Sequence, residues 1–248
     1  FLTYLRSLSR LPLTAENLAQ KFGPKSVLAP QIVSALADSL EHWGNPTNDR
    51  LRVFFNEWRR LFGIVYGEQF SGHQAKEAQD LADLYGVTAE PDFQELLFCV
   101  HTYFALLMKL LAAEILTLKD SVFNSSLALE LTHLSSNDFQ QKLKFLEEGG
   151  LYSQKGITNF LEGDFFKWYT DGWTPRLEEA LKEMCRALSE FEPATTSLAP
   201  LSTKDLLKKL YQFLVQKQIR HDLGEYYTHD WLAERTLNQV GYGVKEKD

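Results

Sequence analysis

The sequence predicts a mainly α fold, an irregular domain of about ten helices. Three observations predict it. Apolar residues recur at helical spacing, most clearly at Leu51, Phe54, Phe55, Trp58, Leu61, Phe62 and Val65. No period-2 run of four or more β-branched residues occurs, so a substantial sheet is not expected. Residues that cap or stop helices recur at helix-length intervals, among them Thr14, Gly23-Pro24, Ser26, Gly86 and Thr174-Pro175.

Taken in order, Thr14 caps a short helix that runs to Phe22, and Gly23-Pro24 ends it. Ser26 caps a second helix toward His42. Trp43-Gly-Asn-Pro46 is a break. The aromatic stripe from Leu51 to Val65 is the third helix, and residues 67–72 are a loop. Gln74 to Tyr85 is a more polar helix that Gly86 terminates. Pro91 suits the first turn of a long apolar helix through Leu116, where its missing N–H costs nothing. Weaker helical signals follow at Ser126 to Leu134 and Asn137 to Glu148, with Gly149-Gly150 as a stop. Thr158 to Trp168 is dense in aromatics and reads as one packed helix, in which Asn159, Glu162 and Asp164 are caps and turn residues. Thr174-Pro175 starts another helix reaching about Glu190.

These elements divide into three parts. Residues 1–191 form a helical N-terminal domain. Residues 192–202, rich in Pro, Ala, Ser and Thr, form a linker. Residues 203–248 form a helical extension, with helices at Thr203 to Gln216 and His229 to Val240.

Composition narrows the function. The chain has 248 residues, 44% hydrophobic and 13% aromatic, enough for a real core. Its net charge of -7 argues against nonspecific coating of nucleic acid, so any such surface is local. One candidate is Ser202 to Arg220. There Lys204, Lys208, Lys209, Lys217 and Arg220 face a single acid, Asp205, and a solvated helix face is the plain alternative. Cys99 and Cys185 make no disulfide framework or metal spacing, which points to a reducing, cytoplasmic compartment. The apolar run Leu96 to Leu116 contains His101, Lys109 and Glu114. Charges there favour a buried bundle helix over a membrane span, with His101 and Lys109 as core residues rather than catalysts.

The stretch Arg220-His-Asp-Leu-Gly-Glu-Tyr-Tyr-Thr-His-Asp-Trp-Leu-Ala233 carries the most information. Gly224 permits backbone that a side chain hinders. Tyr226 and Tyr227 offer flat faces and hydroxyls. Thr228 stands where a helix cap is expected, ahead of a helix start whose free N–H groups suit a carboxylate. This stretch resembles the R-x-x-L-G-E-Y-Y-T-P-x-x-[ILV]-A signature of adenine-N6 DNA methyltransferases. Trp58 to Gly67, His101 to Ala112 and Asn159 to Tyr169 look like the helical region ahead of the catalytic domain in large restriction–modification and phage-defence members of that family.

The resemblance implies several things. The chain is expected to be the N-terminal part of an enzyme that flips an adenine from DNA and transfers methyl to its N6 from S-adenosylmethionine. Gly224, Glu225, Tyr226, Tyr227 and Thr228 are expected to form one wall of the cofactor site. DNA, a downstream α/β methyltransferase domain and defence-system subunits are the expected partners. One departure stands out, since His229 occupies the place where the family carries proline. That removes a fixed φ and adds a titratable ring.

The catalytic half of the signature set is missing from these residues. The nearest match to the Asn/Asp-Pro-Pro-aromatic tetrapeptide is Asn45-Pro46-Thr47-Asn48, which lacks the second proline and the aromatic. No Lys has an acid two positions before it, so a D/E-x-K nuclease core is absent. No phosphate loop, zinc spacing or G-x-S-x-G elbow occurs. The opening Phe1 and the stop at Asp248 suggest a piece of a longer polypeptide. No catalysis is expected of these residues alone. The competing expectation is a non-catalytic helical module that binds a partner protein.

Overall fold

In the computed structural model the described residues are 10–43, 49–66, 75–87, 92–120, 125–158, 165–192, 206–214, 220 and 228–242. Among them the chain is mainly helical. In order come α1 (Ala15–Phe22), α2 (Leu28–Trp43), α3 (Asp49–Tyr66), α4 (Ala75–Leu84), α5 (Phe93–Asp120), α6 (Leu127–Thr132), α7 (Ser136–Glu147), α8 (Gly150–Ser153), a 3-10 turn at Trp168–Thr170, α9 (Pro175–Ser189), α10 (Leu206–Leu214) and α11 (Asp230–Gln239). Two short strands, β1 (Leu11–Pro12) and β2 (Phe191–Glu192), pair in parallel, with Leu11 opposite Phe191.

Local chemistry sets most helix starts. The Thr14, Ser26, Ser126, Ser135 and Thr174 hydroxyls each accept from a backbone N–H in the first turn of the helix they precede. Pro175 occupies the first turn of α9, where no N–H is needed. At the other end of α4, Gly86 has φ 61°, the left-handed conformation a helix exit uses.

Several expectations need correction. The long helix starts from Asp92, whose carboxylate accepts from the Gln94 and Glu95 N–H groups at 2.8 and 3.2 Å, and it runs four residues past Leu116 to Asp120. Gly149-Gly150 does stop α7, and a further short helix, absent from the expectation, begins at once. Gly149 turns the chain at φ 78°, and Gly150 opens α8, where a Cβ would collide with the Phe145 ring. The described end of the Thr158 to Trp168 stretch forms a turn that leads into the 3-10 segment, not an α-helix. Glu192 is fully buried in β2 rather than opening a linker. The expected loop at 67–72, residues 193–202 of the linker, and Asn159, Glu162 and Asp164 lie outside the described residues.

The core is organised around α5. Leu96, Leu97, Phe98, Val100, Tyr103, Leu106, Leu107 and Leu110 are all buried along it. Helix α2 packs on α5 and on α9, and α9 packs on α6. Helix α10 lies against α1 and contributes Leu206 and Leu210 to the same core. Helix α3 meets α5 through an aromatic seam, with Trp58 5.1 Å from Phe98 and Phe55 5.4 Å from Phe98 between ring centroids.

One helix among the described residues, Phe93–Leu118, is long and apolar enough to cross a membrane. Most of it is buried against the other helices, which is the behaviour of a core helix.

Candidate functional site

The signature segment enters the described residues only at its end. Gly224, Glu225, Tyr226 and Tyr227 lie outside them. Thr228 is exposed and precedes α11. The helix takes His229, not Thr228, as its N-cap residue, with extended φ −60° and ψ 141°, and no side chain caps it. Thr228 therefore stands one residue further out than expected. The reason is local. The His229 carbonyl already accepts from the Leu232 and Ala233 N–H groups at 2.9 and 3.0 Å, so the helical hydrogen bonding begins at 229.

Helix α11 has no buried residue. Trp231 is 62% exposed and Val240 74% exposed, while Leu232 and Leu237 are also open to solvent. Asp230 sits in its first turn, where a negative charge is favoured by the helix field. The start of α11 therefore offers backbone N–H groups unclaimed by any side-chain cap, next to an exposed threonine hydroxyl.

The structure only partly places the basic stretch. Lys209 is exposed on α10 and Arg220 is half-buried. Lys204 and Lys217 lie outside the described residues, as does the side chain of Lys208. Helix α10 turns Leu206 and Leu210 inward, which fixes Lys209 on the outer side.

The titratable groups inside the body are structural. Lys109 donates to Glu147 Oε2 at 2.5 Å, and both side chains are buried. The Tyr169 hydroxyl donates to Glu147 Oε1 at 2.7 Å, and the Tyr152 hydroxyl donates to the Lys109 carbonyl at 2.6 Å. Sequence reading placed Lys109 in the core but missed Glu147, whose partner is 38 residues away in the chain. No periodic signal in α7 marks that carboxylate as different from its solvated neighbours.

His101 is buried among Trp58, Phe62 and Phe166, at 5.9, 5.0 and 6.5 Å between centroids. Its Nε2 is buried and has no hydrogen-bond partner. Removal from water pushes its pKa down to about 4, so the ring is neutral. Burial likewise pushes the Cys185 thiol up to about 12 and the Cys99 thiol well above its usual range. Both cysteines are free and neither is a poised nucleophile. Among the described residues no cluster of His, Cys, Asp and Glu is arranged to hold a metal.

Compared with known proteins, the chain matches no family model, no curated protein and no solved structure.

Proposed function

We propose that this chain is the N-terminal helical region of an S-adenosylmethionine-dependent adenine-N6 DNA methyltransferase of the restriction–modification or phage-defence type, working in the cytoplasm. The observation that carries the reading is the run Arg220 to Thr228 leading into the start of α11. Gly224, Glu225, Tyr226, Tyr227 and Thr228 form one wall of the cofactor site in this reading, and a downstream α/β domain forms the rest.

Two features of the described residues support it. The exposed start of α11 suits the carboxylate end of S-adenosylmethionine, because its N–H groups are not taken by a side-chain cap and a helix N-terminus favours negative charge. The apolar side chains of α11 and its C-cap, Trp231 and Val240 above all, stand open as they would in a helix made to pack on a further domain. Bound cofactor supplies the methyl group. This chain's own residues hold and orient its amino-acid end.

Calorimetric binding of S-adenosylmethionine tests the reading. It is measured on this chain, and on a polypeptide that continues for about two hundred further residues of its own gene, a typical domain's length. Binding by the longer polypeptide alone is the expected result. Binding by neither removes the cofactor wall and leaves a helical module that docks a partner protein.

A further inference from the structure

Four of the chain's ten arginines fall between Arg50 and Arg60, all on α3, and that helix contains no lysine. The helix is sharply two-sided. Leu51 and Trp58 are buried, and Phe54, Phe55 and Phe62 pack against the core. At 100° per residue, Arg52, Asn56, Arg59 and Arg60 fall together on the opposite side, and all four are exposed. With Asp49 and Glu57 as its only acids, α3 has a net charge of +2 in a chain of net -7.

The three described arginines differ in what holds them. Arg60 donates twice to Glu57 Oε2, at 2.8 and 3.2 Å. Arg59 lies 5.7 Å over the Phe55 ring. Among the described residues no carboxylate lies within ion-pair distance of Arg52 or Arg59. These two arginines are seven residues apart, about 10 Å along the helix. Asn56 stands between them as a neutral donor. Val53 and Ile64, 57% and 68% exposed, border the stripe.

We infer that the outer face of α3 is a docking surface for the phosphate backbone of double-stranded DNA, made by Arg52, Asn56, Arg59 and Arg60 and indifferent to base sequence. Charge complementarity argues for this occupant. A chain of strongly negative net charge repels a polyanion as a whole, so contact requires positive charge gathered in one place. Arginine rather than lysine suits that contact, because its planar fork pairs two donors with one phosphate. Two arginines held apart on one rigid helix, with a neutral donor between them, suit the continuous charge of a polyanion better than the irregular carboxylates of an acidic peptide. The surface is separate from the Thr228 end of the chain and needs no cofactor.

The test is fluorescence anisotropy of the chain with a labelled DNA duplex of arbitrary sequence, over a series of salt concentrations and without S-adenosylmethionine. Arg52→Glu with Arg59→Glu is expected to lower affinity at least tenfold at low salt and to flatten the logarithmic salt dependence by about 1.8. A charge-matched control, Lys25→Glu with Lys155→Glu, is expected to keep most of the slope. Arg52→Lys with Arg59→Lys keeps the charge and loses the forks, so its slope is expected to be retained with reduced affinity. No binding by the native chain overturns the inference. So does an equal loss in the control pair, or displacement of the duplex by poly-glutamate as readily as by unlabelled DNA. The cofactor measurement plays no part here, so either proposal can fail alone.

Discussion

Helices α5 and α11 both carry large apolar side chains and have opposite fates. Helix α5 has 28 residues and is buried along most of its length. Helix α11 has ten residues, carries Trp231, Leu232 and Leu237 with Val240 as its C-cap, and buries none of them. The difference lies in what surrounds each helix. Helix α5 gains its stability from contact with α2, α3, α4 and α6, and its buried Lys109 finds Glu147. Helix α11 has no side-chain cap and no packing face, and an isolated helix of its length is marginal in water. Large apolar side chains on a helix therefore do not by themselves place it in a core.

The largest expected effect falls in the α5 region. Glu147→Ala strands Lys109 in a buried site and removes the acceptor of Tyr169. Stability is expected to drop by about 3–5 kcal/mol in a denaturant titration. Replacing the set together, as Lys109→Met, Glu147→Leu and Tyr169→Phe, is expected to recover most of that loss, because the buried charges are removed as a pair. Equal losses for the single and triple variants would show that these positions act through packing rather than charge.

The next effect depends on pH. Folded His101 holds no proton until about pH 4, while in the unfolded chain it titrates near the ordinary 6.5. Between those values the unfolded state binds more protons, so acid favours unfolding. Its contribution to stability is intact above about 6.5 and falls by about 1.4 kcal/mol per pH unit down to about 4. His101→Phe is expected to remove that component of the acid slope. An unchanged slope in urea titrations between pH 6.5 and 4 would mean that protonated His101 is tolerated in the aromatic seam between α3 and α5.

Hydrogen exchange sharpens the contrast directly. Amides in the middle of α5 are expected to exchange only by global unfolding, and those of α11 with opening free energies near zero. Strong protection in α11 of the isolated chain would mean that the helix has found a partner surface already.

How much of this was readable from the sequence follows the same division. Starts governed by neighbouring residues were legible, as at Thr14, Ser126 and Thr174-Pro175, since a hydroxyl three residues before an N–H acts locally. The buried course of α5 was legible from its apolar run. Long-range partners were not. The stretch up to Trp168 reads as a helix from its density of aromatics, yet the Trp168 Nε1–H donates to the Thr102 hydroxyl at 2.9 Å and the Tyr169 hydroxyl donates to Glu147. Those distant acceptors accompany a 3-10 turn where aromatic density alone suggested a helix. The α1-packed position of α10 was equally invisible, because the sequence says which face is apolar but not what covers it. At the candidate site the motif was legible and the cap was not. By residue type Thr228 is the favoured cap, yet the backbone puts His229 in that place, with no side-chain cap.

The smallest expected effect is the most discriminating. Trp231 is mostly in water, so Trp231→Ala is expected to change the stability of this chain by no more than about 0.5 kcal/mol. The same holds for Thr228→Ala, whose hydroxyl caps nothing. In a polypeptide that continues into the proposed catalytic domain the two changes should part. Trp231→Ala is expected to lower the melting temperature, because a buried tryptophan is lost from an interface. Thr228→Ala is expected to weaken S-adenosylmethionine binding and leave melting alone. If neither change matters in the longer polypeptide, α11 is exposed there too, and its apolar face serves a separate protein. If Trp231→Ala already destabilises the short chain, the helix is packed on the body in solution, and the contrast with α5 disappears.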